Sequence, residues 1–175
     1  MNLPLIYQWL AHEPAPRHLL KAVELYGITE SLGSKNNPII LGWAKEVGLE
    51  KVYDQDSIPW CGLFIATIMK RADREPVKDP LFALNWNNFG VKIGQPMLGD
   101  VLTFTRKNGG HVGLYVGEDV AAYHVLGGNQ GDKVSIVRIA KDRLSQVRRP
   151  AYNLQPFNIR KIKLAISGGL STNEA

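Results

Sequence analysis

The sequence predicts an α+β domain, with N-terminal helices packed on a C-terminal antiparallel β-sheet. Three observations predict it. Before Gly90 the apolar residues recur at helical spacing between recognisable helix starts and stops. After Gly99 the texture changes to short β-type runs punctuated by glycine. Helices come first and strands afterwards, without the alternation that a parallel sheet requires. The 175 residues, 45% apolar and 21% charged, suffice for one domain with a substantial core, read as residues 1–165. The closing SGGLSTNEA is small and polar, so residues 166–175 are expected to form a disordered tail.

Residues 16–27 place Leu19, Val23 and Tyr26 at helical spacing, with Gly27 as a stop. A second helix is signed more fully, by Asn37 as N-cap, Pro38 at the first helical position, Ile40, Trp43, Ala44 and Val47 on one side, and then Gly48. A third is apolar enough to be central. It starts near Ser57 or Ile58, has Pro59 in its first turn and runs through Leu63, Phe64, Ile65, Ile68 and Met69. A short fourth, carrying Leu81, Phe82, Leu84 and Trp86, lies between Asp79-Pro80 and Gly90. Four strands follow as an antiparallel meander: DVLTFT (100–105), HVGLYVG (111–117), AAYHVLG (121–127) and KVSIVRI (133–139).

Composition narrows the function classes. A single cysteine, Cys61, excludes an intrachain disulfide framework and a thiolate-rich zinc cluster. MNLPLIYQWLAHEPAP has no basic n-region and no small-residue cleavage site, and no later run reaches transmembrane length, so a polypeptide made in the cytoplasm without a signal peptide is expected. The net charge of +5 is concentrated: Lys141, Arg143, Arg148, Arg149, Arg160, Lys161 and Lys163 stand against Asp142 alone, a net of +6. No zinc knuckle, helix-turn-helix spacing or aromatic RNA-binding signature accompanies them, so a solvated basic face is expected and not a nucleic acid site.

Cys61 falls near the start of the third helix, in PWCGLF. Unpaired backbone N–H groups there put partial positive charge beside the sulfur and favour a thiolate, and Gly62 leaves its approach uncrowded. The competing reading is a small apolar side chain sharing the core of Phe64 and Ile68. Of the four histidines, His111 is informative as a base. It opens a strand after Asn108-Gly109-Gly110, and Val112, Leu114 and Val116 alternate away from it, which leaves the ring on the face opposite the core. A third group would hold the imidazole in its tautomer. Asn129, in LGGNQGD, has an amide oxygen for the ring N–H, although asparagine and glycine there also suit a hairpin turn. His124, on the neighbouring strand, competes with it.

In order, PWCGLF at a helix start, GGHVGLYVG opening a strand and VLGGNQ ending the next resemble the CHAP branch of the NlpC-like cysteine peptidases. The similarity is closest to a phage and prophage subgroup with an acidic residue and Asn-Pro upstream, as in Glu30 and Asn37-Pro38, and Arg-Pro near the end, as in Arg149-Pro150. It covers roughly residues 25–150. The resemblance implies a papain-like fold in which Cys61 attacks an amide carbonyl, His111 exchanges protons with sulfur and leaving amine, and Asn129 orients His111. Many CHAP domains carry a glutamate two residues before that asparagine, where this chain has Gly127. In the wider NlpC-like group a second histidine on the following strand orients the base, the place of His124 here.

The resemblance further implies a peptidoglycan hydrolase cutting a stem-peptide amide or the bond from muramic acid to the peptide. Such an enzyme would work as a monomer on the bacterial wall after release or delivery, as a lysin does. The alternatives are a catalytically silent phage assembly or wall-binding module, and a cysteine acyltransferase, since an amine can release the thioester in place of water. Some CHAP domains bind calcium through aspartates near the cysteine, and Asp54-x-Asp56 has that look. Calcium wants six or more oxygens, however, so no metal and no other cofactor is assigned.

Overall fold

In the computed structural model, which describes residues 2–33, 35–107, 109–166 and 168–174, the apolar run from Cys61 becomes the central helix. This helix, α3 (Cys61–Arg71), follows α1 (Arg17–Glu24) and α2 (Pro38–Glu46), and every residue from Cys61 to Met69 is buried. A helix apolar on all sides needs cover on all sides. It finds α1 and α2 on one flank and the sheet on the other. The sheet comprises β1 (Val91–Ile93), β2 (Val101–Arg106), β3 (Gly109–Glu118), β4 (Ala122–Gly127), β5 (Ser135–Ala140) and β6 (Leu144–Arg149). Its spatial order is β1-β6-β2-β3-β4-β5, and every neighbouring pair is antiparallel.

The α+β class and the meander of β2 to β5 agree with the sequence. Several boundaries do not. α3 begins at Cys61, with Trp60 as N-cap, because Pro59 disfavours helical geometry in the residue before it. The fourth helix is a 3-10 turn at Ala83–Asn88, and the unforeseen 3-10 segment Leu5–His12 buries Tyr7 and Leu10. Strand β6 was hidden in the basic stretch: Val147 faces inward while Arg148 and Arg149 flank it.

Val101, Val112, Leu114, Val116 and Leu126 face the helices. The opposite face is covered as well, since Leu102, Phe104, Tyr115, Val125, Ile139 and Val147 form a second apolar cluster, with Ile162 packed on it. The alternation expected for β3 is therefore present, but the face that carries His111 is not open.

The solvated basic face is corrected too. Glu118 gathers Lys141, Lys161 and Lys163 at 3.6, 3.0 and 2.6 Å, Arg149 grips Asp100, Arg160 meets Glu13, and Arg143 meets Glu174. Cations contiguous in sequence are distributed among acids from elsewhere. Part of the stretch 166–175, expected as a disordered tail, makes contacts with the sheet. Ser167 and Ala175 lie outside the described residues, but Leu170 forms a parallel bridge with Arg138, the Ser171 N–H donates to the Arg138 carbonyl at 2.8 Å, and Glu174 is wholly buried. Small residues allow this close course along the edge of β5, and an ion pair fixes its end. Among the described residues no helix is long and apolar enough to cross a membrane.

Candidate active site

Cys61 is the first residue of α3 and His111 the third of β3. The Cys61 sulfur lies against the backbone N–H of Val112, the residue after His111, and against the N–H groups of Gly62 and Cys61 itself. These donors favour a thiolate, as does the charge of Arg106, yet burial outweighs them and pushes the thiol up. Cys61 is 3% exposed. The expected thiolate at a helix start is thus corrected: the helix end acts as foreseen, and desolvation is the larger effect. Gly62 has a different role from the one expected. A Cβ there would collide with the Pro80 carbonyl oxygen and come within 2.8 Å of that of Leu81, so glycine admits the neighbouring loop and not an approach to sulfur.

His111 is wholly buried, with the Phe104 ring stacked 6.4 Å away on the paired residue of β2. Its Nε2 meets Gln130 Oε1 at 3.0 Å. The Gln130 amide is itself fixed, because its Nε2 donates to the carbonyls of Ser135 at 2.6 Å and Val125 at 3.2 Å. With the amide nitrogen committed, Oε1 must accept, and His111 must carry its proton on Nε2. Nδ1 is left as the basic nitrogen, and it has no hydrogen-bond partner among the described residues. Burial, above all, lowers the imidazole pKa to about 4, against the Gln130 bond and the Glu174 charge, which raise it. At rest Cys61 is a neutral thiol on the helix side of β3 and His111 a neutral imidazole on its opposite face.

The hydrogen bond to the His111 ring that was expected from Asn129 is made by its neighbour Gln130. Asn129 has positive φ, as a turn residue there would, and its side chain works on the other side of the loop. In the orientation its neighbours require, the amide nitrogen donates to Glu30 Oε1 at 3.1 Å and the oxygen accepts from the Trp60 N–H at 3.3 Å. Glu30 also accepts from the Trp60 indole at 2.7 Å. Glu30, Trp60 and Asn129 together clamp the loop after β4 to the start of α3. Gly128 lets that loop close, since a Cβ there would press on the Trp60 ring and the Phe64 Cβ at 2.6–2.7 Å.

Gly127 explains why a glutamine can serve. A Cβ at this position would lie 2.8 Å from Gln130 Oε1 and 3.2 Å from His111 Nε2. The space a side chain at 127 would use is filled by Gln130, reaching back from three residues later. His124, the other candidate, is excluded as orienter: its Nε2 meets Asp119 Oδ2 at 2.9 Å and its Nδ1 the Tyr7 hydroxyl at 2.7 Å. The loop glycine Gly109 is in place beside this site, while Asn108 lies outside the described residues.

No protein-family model matches the chain, and no curated protein matches it with significance. The residues themselves carry what can be said. Asp56, one of the two aspartates with the look of a calcium pair, accepts from the backbone N–H groups of Asn37 at 2.8 Å and Ser31 at 2.9 Å. Its job is to pin the entrance of α2, where Asn37 caps by accepting from the Ile39 N–H at 2.8 Å. Asn37-Pro38 and Arg149-Pro150 are structural in the same sense, the latter through the two bonds of 2.8 and 2.7 Å that Arg149 makes to buried Asp100.

Proposed function

We propose that the protein is a cysteine-dependent amidohydrolase of CHAP type with a papain-like arrangement, acting on an amide bond of bacterial peptidoglycan. The observation that carries this reading is the tautomer of His111. A buried imidazole locked as Nε2–H, with Nδ1 unpartnered among the described residues, one residue before the Val112 N–H that meets the Cys61 sulfur, is an arrangement that suits proton transfer.

In this reaction the Cys61 thiol gives its proton to His111 Nδ1 as sulfur attacks the carbonyl carbon. The oxyanion would be received by N–H groups at the start of α3. The imidazolium then protonates the leaving amine, and a thioester remains. Water, deprotonated by Nδ1, releases the acid and restores the thiol. Because burial raises the thiol and lowers the imidazole, the ion pair forms with substrate and not before it. Gln130 stabilises the imidazolium by keeping its acceptor on Nε2–H.

The test is incubation with purified peptidoglycan and mass spectrometry of the products. Muropeptides cut at one amide are expected, and Cys61→Ala should release none while keeping its fold. The burial of both Cys61 and His111 favours a second reading, a silent assembly or wall-binding module. Intact wall after incubation with the native chain would select it.

A further inference from the structure

Glu174 is the only acid in the closing SGGLSTNEA, yet it is wholly buried. A carboxylate is taken out of water at a stable cost only where a cation replaces the solvent. Here Arg143 does so as a fork, its two terminal nitrogens at 3.1 and 2.7 Å from the two carboxylate oxygens. The path to this point is an extended peptide held by its main chain. Arg138 donates to the Gly168 carbonyl at 2.6 Å and pairs with Leu170, and the Gly131 N–H donates to the Asn173 carbonyl at 3.0 Å. Gly131 follows Gln130, which holds His111. The carboxylate is near enough to His111 for the two charges to act on each other. Beside it lies an open pocket of about 450 Å³ lined by Arg106, Lys107, Arg143 and Thr172. Arg106 lines that pocket, and its Nε, itself buried, has no acceptor among the described residues. Three cations against one carboxylate leave unused capacity for an anion, and Arg106 acts electrostatically on both Cys61 and His111.

We propose that Arg106, Lys107 and Arg143 form the subsite for a carboxylate of the acidic peptide on which Cys61 acts, and that Glu174 occupies its Arg143 end in the resting chain as an internal competitor. The proposal rests on the reading of Cys61 and His111 as a catalytic pair. It gives the segment a role: residues 168–174 lie as an extended peptide would, held along β5 through main-chain bonds, with an acid on Arg143. An acidic substrate has to displace Glu174 to reach Arg143.

The probes are iodoacetate and iodoacetamide, alkylating agents of similar size that differ in charge, used on the full-length chain with Cys61 alkylation followed by mass spectrometry. Glu174→Ala is expected to speed alkylation by iodoacetate about tenfold and by iodoacetamide less, and adding Arg143→Met to that variant should remove the preference for the anion. Glu174→Gln keeps the shape without the charge and serves if Glu174→Ala fails to fold. An unchanged ratio of the two rates in folded Glu174→Ala and Glu174→Gln would overturn the proposal and make Glu174–Arg143 a structural ion pair. Alkylation and wall cleavage fail separately. Intact wall with the predicted alkylation ratios would end the hydrolase reading alone, and cleaved wall with unchanged ratios would end the subsite alone.

Discussion

His111 and His124 sit on adjacent strands, each wholly buried and each with a polar side chain on Nε2, and they differ at Nδ1. His124 is saturated. Its Nδ1 accepts from the Tyr7 hydroxyl and its Nε2 donates to Asp119, which Arg138 also holds, at 2.7 Å. That guanidinium, first among several partners, keeps Asp119 well below the usual carboxylate range. The network ties the N-terminal 3-10 segment to the sheet. His111 has the same kind of partner on one nitrogen and none on the other. Half-satisfaction alone does not mark chemistry, since buried His18 also bonds through Nε2, to the Gly99 carbonyl at 2.7 Å, and leaves Nδ1 without a partner among the described residues. What sets His111 apart is that it precedes Val112, whose N–H meets the Cys61 sulfur.

Crossed substitutions break this comparison most severely. His111→Ala should abolish wall cleavage, a loss of about 10²–10⁴-fold or more from the missing base, with a modest loss of stability. His124→Ala should do the reverse, costing about 2–4 kcal/mol in chemical denaturation through a cavity and a buried network left short of a member, with kcat of the folded fraction nearly unchanged. A severe kcat loss in folded His124→Ala would erase the distinction.

A smaller effect separates Gln130 from Asn129. Gln130→Ala should lower kcat by about 100-fold with KM little changed, the low end of what a positioned base supplies. Gln130→Glu keeps an acceptor on Nε2–H and adds negative charge, so activity should return with the acid limb of the pH profile moved to higher pH. Rescue without that movement would mark Gln130 as packing only. Asn129→Gly tolerates the positive φ and removes the clamp to Glu30 and Trp60, so its loss should be the lesser.

The limits of the sequence have physical reasons at the same residues. The places of Cys61 at a helix start and His111 near a strand start, and the order of helices and strands, were legible because each is written locally, in a helix start, an alternating run and glycine punctuation. Gln130 was not. Its role depends on a side chain folding back across three residues into the space above Gly127, and on the carbonyls of Val125 and Ser135 taking its nitrogen, contacts that exist only once β4 and β5 pair. Glu174 was missed because composition alone made its segment solvent-loving, while Arg143 lies 31 positions away. Burial of the pair was missed because alternation in β3 tells which way His111 faces and not what covers that face.

The smallest effect is on acid stability. Burial is the main cause lowering His18 and His111 to about 4, and it lowers His124 as well. A folded pKa below the unfolded one means the unfolded chain takes up protons first. The contribution is therefore full above pH 6.5 or so and is lost as pH falls towards 4. Thermal unfolding should show Tm declining through that window, and His111→Gln, which cannot charge, should flatten part of the decline.

The tautomer of His111 can be observed directly, by nitrogen-15 NMR of the imidazole in the native chain at neutral pH. The account predicts a pyrrole-like Nε2 bearing the proton and a pyridine-like Nδ1, unchanged until the pH falls to about 4. A proton on Nδ1, or an imidazolium at neutral pH, would contradict it, since His111 could not then take the proton of Cys61.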